Sequence, residues 1–428
     1  MLEPTDVNAR ELLLALFRAG VEAVKPSKCL PAFIPAPAGG RTVLVAAGKA
    51  AASMAQTVEQ HFPGPLSGIA VVPNGHELPC KSIDVLTAAH PVPDMRSVTA
   101  SHRALELAHG LNGSDQLVCL LSGGGSACLC LPANGISLDH KQALITALLD
   151  QGAPISDINC VRKHLSGIKG GRLALAARPA ACLTLAISDV VGDDPSTIAS
   201  GPTQPDPGTS AEALKILKRH ELLDAGVSRW LQSEGSETPK PGDDWLCNGR
   251  YQLIAAARDA LDAAQSVAEK EGLRVENLGD DLEGTARALA NAHVRQIDEI
   301  LQTRPPSQPR LLLSGGETTV RVTGNGKGGR NTEYLLALAA ALDGRRGVSA
   351  LACDTDGIDG RGGQAGAIYT PSLRDMWRSK NLDPARFAKD SDSAGFFASL
   401  DALVMTGPTL TNVNDFRAIL LTPDAWRA

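Results

Sequence analysis

The chain has 428 residues, 43% of them hydrophobic and 21% charged, with a formal net charge of −6. That length exceeds what one hydrophobic core usually supports, so two domains are expected. The negative balance, with no basic stripe interleaved with aromatics, excludes the footprint of a nucleic-acid binder. No apolar run reaches the roughly 20 residues a membrane helix needs. Nine cysteines with no C-x-x-C pair read as free thiols in a reducing cytoplasm, not a disulfide frame or zinc site. Glu3 and Asp6 stand ahead of the first apolar run, unlike a signal peptide. The expectation is a cytoplasmic protein whose partners are small molecules, with no nucleic acid and no membrane. Oligomeric state stays open, a homodimer among the options.

An opening helix is expected over about Asp6–Val24, with Asp6 as N-cap ahead of Leu12, Leu13, Leu16 and Phe17. After a proline-bearing linker, buried strands are expected at Thr42–Ala47, Gly68–Val72, Asp84–Ala88, Gln116–Leu121 and Cys182–Ile187. Helical stretches such as Met95–His109 and Leu138–Gln151 separate them. Continuous apolar runs alternating with helices indicate parallel strands covered on both faces. The polar segment Ser233–Asp244 is the boundary candidate, dividing 1–240 from 245–428. Beyond it, strands are expected at Gln252–Ala257, Arg310–Ser314, Val348–Cys353 and Ala402–Thr406. The run Thr318–Thr323 alternates polar and apolar, as an exposed or antiparallel strand would. The fold class is therefore α/β: an N-terminal Rossmann-like parallel sheet with helices on both faces, then a C-terminal α/β domain with a mixed sheet.

Open parallel sheets bind ligands beyond the carboxyl ends of their strands, so the residues just after each apolar run are the candidates. Gly48-Lys49 stands after the first and Ser122-Gly123-Gly124-Gly125-Ser126 after the fourth. Ser188-Asp189 and Gly192-Asp193-Asp194 stand after the fifth. In the second half come Ser314-Gly315-Gly316-Glu317 and Asp354-Thr-Asp356-Gly-Ile-Asp359. Singly, each has a plain reading: glycines make turns, most lysines are solvated, and Asp-Gly pairs are ordinary turn formers. Together they suit phosphate or carboxylate cradling by backbone N–H groups. Asp193, Glu317, Asp354 and Asp356 suit Mg²⁺, which takes few carboxylates plus substrate phosphates. No Walker A loop is present.

Gly324-Asn-Gly326-Lys327-Gly-Gly329 satisfies G-x-G-x-x-G ahead of an expected helix Asn331–Leu342, close to a dinucleotide fingerprint. The alternating run before it and the cations Lys327 and Arg330 suit a triphosphate better. Gly315, Gly316, Lys327 and Asn331 join Ser122–Ser126 as candidate phosphate or substrate contacts.

Several segments, in order along almost the whole chain, carry a family resemblance. They include Ala47-Gly-Lys49-Ala-Ala, Ala89-His90-Pro91-Val-Pro93-Asp94, Leu121-Ser-Gly-Gly-Gly-Ser-Ala127 and Asn159-Cys-Val-Arg162-Lys163-His164-Leu-Ser166-Gly-Ile-Lys169-Gly-Gly171. Others are Gly328-Gly-Arg330-Asn331-Thr-Glu333, Asp354-Thr-Asp356-Gly-Ile-Asp359-Gly and Gly407-Pro-Thr-Leu-Thr-Asn412-Val. The chain resembles the class II glycerate 2-kinase family, whose C-terminal half is known as the MOFRL domain. The resemblance implies an active site in the interdomain cleft, ATP and Mg²⁺ as co-reactants, and conversion of D-glycerate to 2-phosphoglycerate. It implies catalytic roles for Lys49 and Arg330. Asp189 or Asp193 would orient the substrate hydroxyl, and Lys49 would hold the substrate carboxylate or the transferring phosphoryl. Some members are labelled hydroxypyruvate reductases from their place in tartrate utilisation. An NAD(P)H-dependent reductase and a non-catalytic organic-acid or nucleotide sensor are the competing readings.

Overall fold

The computed structural model describes residues 4–243, 249–303 and 308–426. The chain divides into two compact units, Pro26–Ile254 and Met1–Lys25 with Ala255–Ala428. Among the described residues, no helix is long and apolar enough to cross a membrane.

The first unit is built on β1 (Thr42–Ala47), β2 (Leu66–Pro73), β3 (Ile83–Ala88), β4 (Gln116–Leu121), β5 (Ala181–Ile187) and β6 (Gly249–Ala255). The strand order is β3-β2-β1-β4-β5-β6, and β1 to β5 pair in parallel throughout. Every residue of β1 is buried, and β4 is buried from its second residue. Their unbroken apolar runs leave neither face to water, as parallel sheets require. Helix Met95–His109 opens on Asp94, whose carboxylate accepts from Arg96 N, an N-cap that satisfies a donor the helix cannot.

The second unit carries β7 (Arg274–Asn277), β8 (Arg310–Ser314), β9 (Val348–Asp354), β10 (Gly366–Tyr369), β11 (Leu403–Val404) and β12 (Asp415–Leu421) in the order β11-β10-β9-β12-β8-β7. β12 runs antiparallel to both β8 and β9, and β10 antiparallel to β9 and β11. The sheet is mixed, as expected, but not because of Thr318–Thr323. That run is no strand: it makes one isolated bridge, Thr319 to Thr285, and Thr323 N–H donates to Ser391 Oγ instead.

Three further expectations are corrected. The opening helix, Pro4–Ala23, lies with the second unit because Leu13, Leu16 and Phe17 pack on Leu261, Leu273 and Phe416. β6 pairs into the first sheet, so the boundary follows that strand rather than preceding it near 240–245. Asp6 is not the N-cap; it sits in the first helical turn, where its carboxylate accepts from Ser372 N.

Candidate functional site

In the first sheet the strand order reverses between β1 and β4, the place where open α/β sheets accept ligands. Both carboxyl ends there carry expected residues. Gly48, at φ 120°, donates to Val71 O at 3.0 Å, and a Cβ on it would lie 2.4 Å from Ser122 O. Only glycine fits. Lys49 N–H then donates to Gly123 O at 2.8 Å and Ala50 N–H to Ser122 Oγ at 3.0 Å. The buried Ser122 hydroxyl thus fixes the turn that presents Lys49. Gly124, at φ 79°, would place a Cβ 3.0 Å from His90 Cδ2 and 3.6 Å from Lys49 Cγ. A Cβ on Gly125 would lie 2.9 Å from Ala199 Cβ. Ser126 Oγ lies 2.9 Å from Ser200 Oγ. Asp189 and Asp193 are half-buried after β5, Asp193 in the left-handed region at φ 56°.

Beside this loop lies a cavity of about 400 Å³, lined by Gly124, Ser126, His90, Lys141, Arg162 and Lys169 with Pro93, Ile145 and Leu149 as apolar walls. Lys169 Nζ donates to Ser126 O at 2.7 Å and to its Oγ at 3.1 Å. Burial pushes the Lys169 ammonium down to about 7, with Lys141 and Arg162 adding to it against the pull of Cys130. Burial likewise lowers Lys141 to about 8. Sequence reasoning assigned none of these cations a role. Arg162 and Lys169 lie inside the Asn159–Gly171 motif, which was the available signal; Lys141 sits on an ordinary amphipathic helix, Leu138–Asp150, and gave none.

In the second unit, β12 brings the ends of β8 and β9 together, with Asp415 opposite Asp354 and Arg417 opposite Ser314. Arg330 is gripped there by three carboxylates. Its Nε donates to Asp415 Oδ1 at 2.7 Å, Nη1 to Glu317 Oε1 at 2.5 Å and Nη2 to Asp354 Oδ2 at 3.0 Å. These carboxylates outweigh the cost of burial and hold the guanidinium well above its usual pKa. Asp415 also accepts from Asn331 Nδ2 at 2.7 Å and from Arg417. Asp356 N–H donates to Asp354 Oδ1 at 3.0 Å. The described residues gather no group of three or more His, Cys, Asp or Glu placed to hold a metal. Glu317, Asp354 and Asp356 lie in this unit and Asp193 in the other.

The remaining glycines serve packing. A Cβ on Gly316 would lie 2.3 Å from both Leu282 N and O, while Gly315 O accepts from Arg417 Nη1 at 2.9 Å. In the fingerprint-like loop, a Cβ on Gly324 would meet Asp390 O, one on Gly326 the Asp392 Cβ, and one on Gly329 the Asp359 Oδ1, each at 2.3 Å. The space those glycines save is filled by the chain itself. Helix Arg330–Leu342 comes next, and its first N–H groups are already taken: Asn331 N donates to Asp359 Oδ1 at 2.9 Å and Thr332 N to Asp359 Oδ2 at 2.8 Å. Lys327 is exposed, its N–H on Asp392 Oδ1.

Two family profiles match the chain: a domain of unknown function, DUF4147, over residues 12–232, and the MOFRL family over 310–415. A D-glycerate 2-kinase of Thermotoga maritima is 38% identical over 97% of this chain and 98% of its own. The chain belongs to the class II glycerate 2-kinase family. The crystal structure of a glycerate kinase from Thermotoga maritima superposes on it with a TM-score of 0.87, covering 97% of this chain and 100% of that one. A protein of Agrobacterium vitis that bears the provisional name hydroxypyruvate reductase is 45% identical over 97% of this chain and 95% of its own. Members of this enzyme family thus carry two names for two reactions, and residue geometry has to choose between them.

Proposed function

We propose that the chain transfers the γ-phosphoryl group of ATP to the 2-hydroxyl of D-glycerate, giving 2-phosphoglycerate and ADP in the cytoplasm. The observation that carries the choice is Asp359. A dinucleotide pyrophosphate needs the helix N-terminus behind its glycine loop, and here a buried carboxylate occupies that position. The loop also lacks the preceding strand of a βαβ unit. Both features count against a reductase.

In the transfer, the hydroxyl oxygen bonds to the γ-phosphorus as the β–γ bridging oxygen leaves with ADP, and the protein's task is positioning and charge neutralisation. Lys49, presented by the Gly48 and Ser122 turn, supplies positive charge to the moving phosphoryl group. Asp189 or Asp193 orients the hydroxyl and takes its proton. In the second unit Glu317, Asp354, Asp356 and Asp415 outnumber Arg330 and Arg417, so the cluster is anionic and a polyphosphate needs an accompanying cation to approach it. Mg²⁺ suits that donor set through one or two carboxylates, Glu317 and Asp354 foremost, and would screen charge between phosphate oxygens.

The deciding experiment supplies D-glycerate with Mg·ATP, and separately hydroxypyruvate with NADH or NADPH. The expected result is ADP with a phosphate ester on the secondary carbon by phosphorus NMR, and no loss of nicotinamide absorbance. Nicotinamide oxidation at a comparable rate would overturn the assignment in favour of the reductase. Glycerate binding without either turnover would favour a sensor.

A further inference from the structure

The cavity beside Ser126 has a charge pattern that phosphoryl transfer by itself does not explain. Three cations, Lys141, Arg162 and Lys169, reach it, and among the described residues no Asp or Glu lines it. The hydrogen bonds of all three go to neutral oxygens. Lys169 gives two of its three donors to Ser126, Lys141 gives one to Leu165 O at 2.8 Å, and Arg162 gives one of five to Asn159 Oδ1 at 2.5 Å. Lys169 is 1% exposed and Lys141 3%. Cations held by neutral oxygens alone are costly to bury, so Lys141 and Lys169, both buried, and the half-buried Arg162 form a site that an anion completes.

We propose that this cavity binds the carboxylate of the hydroxy acid substrate, with Lys169 and Arg162 as its direct ligands, leaving Lys49 to the phosphoryl group. The assignment rests on the kinase reading for the identity of the acid. Gly124 is the shared wall: it lines the cavity and also sits against Lys49 and His90. A polyphosphate is a poor occupant, because Pro93, Ile145 and Leu149 would face its oxygens without a donor. A carboxylate on a short carbon chain meets both surfaces, cations at its head and apolar walls beside its carbons. The groups facing Lys169 are the cations Lys141 and Arg162 and the thiols Cys128 and Cys130, with Ser126 and His90 also lining the cavity. Lys169 is only partly charged near neutrality when no anion is bound, so an entering carboxylate should draw a proton onto it.

The test is calorimetric titration of the full chain with D-glycerate, without nucleotide, in two buffers of different ionisation heat, alongside steady-state kinetics. Lys169→Met and Arg162→Met should each raise KM for glycerate tenfold or more, leave KM for ATP within twofold, and abolish the binding heat. Lys169→Arg should recover part of the affinity. The wild type should take up protons on binding at about pH 8, and Lys169→Met should not; circular dichroism melts check that each variant is folded. Arg162, only half-buried, keeps the test open should Lys169→Met not fold. A raised KM for ATP with glycerate unaffected would hand the cavity to the nucleotide and overturn the proposal. Should the wild type turn over glycerate while both variants bind it normally, the cavity assignment fails and the kinase reading stands. Should it bind glycerate in a Lys169-dependent way without phosphorylating it, the kinase reading fails and the cavity assignment stands.

Discussion

Three carboxylates share the guanidinium of Arg330, and that arrangement decides what its substitution does. Asp415 has a fully buried side chain, held by Arg330, Arg417 and Asn331. Removing Arg330 leaves that charge to Arg417 and strips Asp354 and Glu317 of the guanidinium they share. Arg330→Ala should therefore cost about 3 kcal/mol of stability, the low end for a broken buried pair, as well as lowering kcat by orders of magnitude. Arg330→Lys should recover part of the stability but little turnover, because one ammonium cannot span three carboxylates. Lys49 makes the contrast. Its backbone is fixed by bonds through Gly48, Gly123 and Ala50, and Lys49→Ala should lower kcat by about 100-fold or more. An Arg330→Ala variant as stable as wild type, or a Lys49→Ala variant with near-wild-type turnover, would refute these roles.

Helix Ala286–Leu301 packs on helix Arg330–Leu342 with an ion pair from Arg287 to Glu333 and a buried contact, His293 Nδ1 to Tyr334 Oη at 2.6 Å. Burial, with Arg417 nearby, pushes the His293 imidazole down to about 4. The folded value lies below the unfolded one of about 6.5, so the unfolded chain protonates first as pH falls. The contribution is whole above pH ~6.5 and is lost between there and pH ~4, on the order of 3 kcal/mol. His293→Gln should flatten urea midpoints measured from about pH 7 to 4.5; an undiminished slope would point to carboxylates instead. At this scale the sequence was legible where burial was continuous. β1 and β4 were read to the residue because nothing polar interrupts them. β12 was missed because Asp415 and Arg417 break its apolar run, and those are the side chains that knit the ends of β8 and β9 to Arg330. β10 has four residues, too few for a periodic signal. The glycine loop is ambiguous for a related reason: spacing records where Cβ atoms are absent, not whether a ligand or Asp390, Asp392 and Asp359 fill the gap. Gly324→Ala accordingly should lower the melting temperature by several degrees, since its Cβ meets a backbone oxygen, and should leave NADH affinity undetectable as before. Unchanged stability with altered nicotinamide binding would restore the fingerprint.

At the scale of the molecule, the second unit is completed by the first helix of the chain, hundreds of residues away in sequence. Leu13, Leu16 and Phe17 are buried against Leu261, Ala264 and Phe416, with the Phe17 and Phe416 rings 5.7 Å apart. Gly20 allows the close approach: a Cβ there would lie 2.9 Å from Ala260 O. Asp6 accepts from Ser372 N at 3.0 Å, and Val24 O accepts from Thr411 Oγ1 at 2.7 Å, tying both ends of the helix down. Full burial of three large apolar side chains is worth about 6 kcal/mol, comparable to the whole stability of a domain. A chain beginning at Pro26 keeps Lys49, Arg330, the cationic cavity and the acidic cluster, yet it uncovers one face of the second sheet. Hydrogen exchange should then find β8, β9 and β12 unprotected while β1, β4 and β5, whose core lies within residues 43–253, stay protected as in the full chain. Turnover should vanish although no candidate site residue has been removed. Gly20→Val should give a milder form of the same result, with the loss of protection confined to the second unit. Equal protection of both sheets in the shortened chain would show that the helix is an accessory and that the second unit folds on residues 255–428 alone.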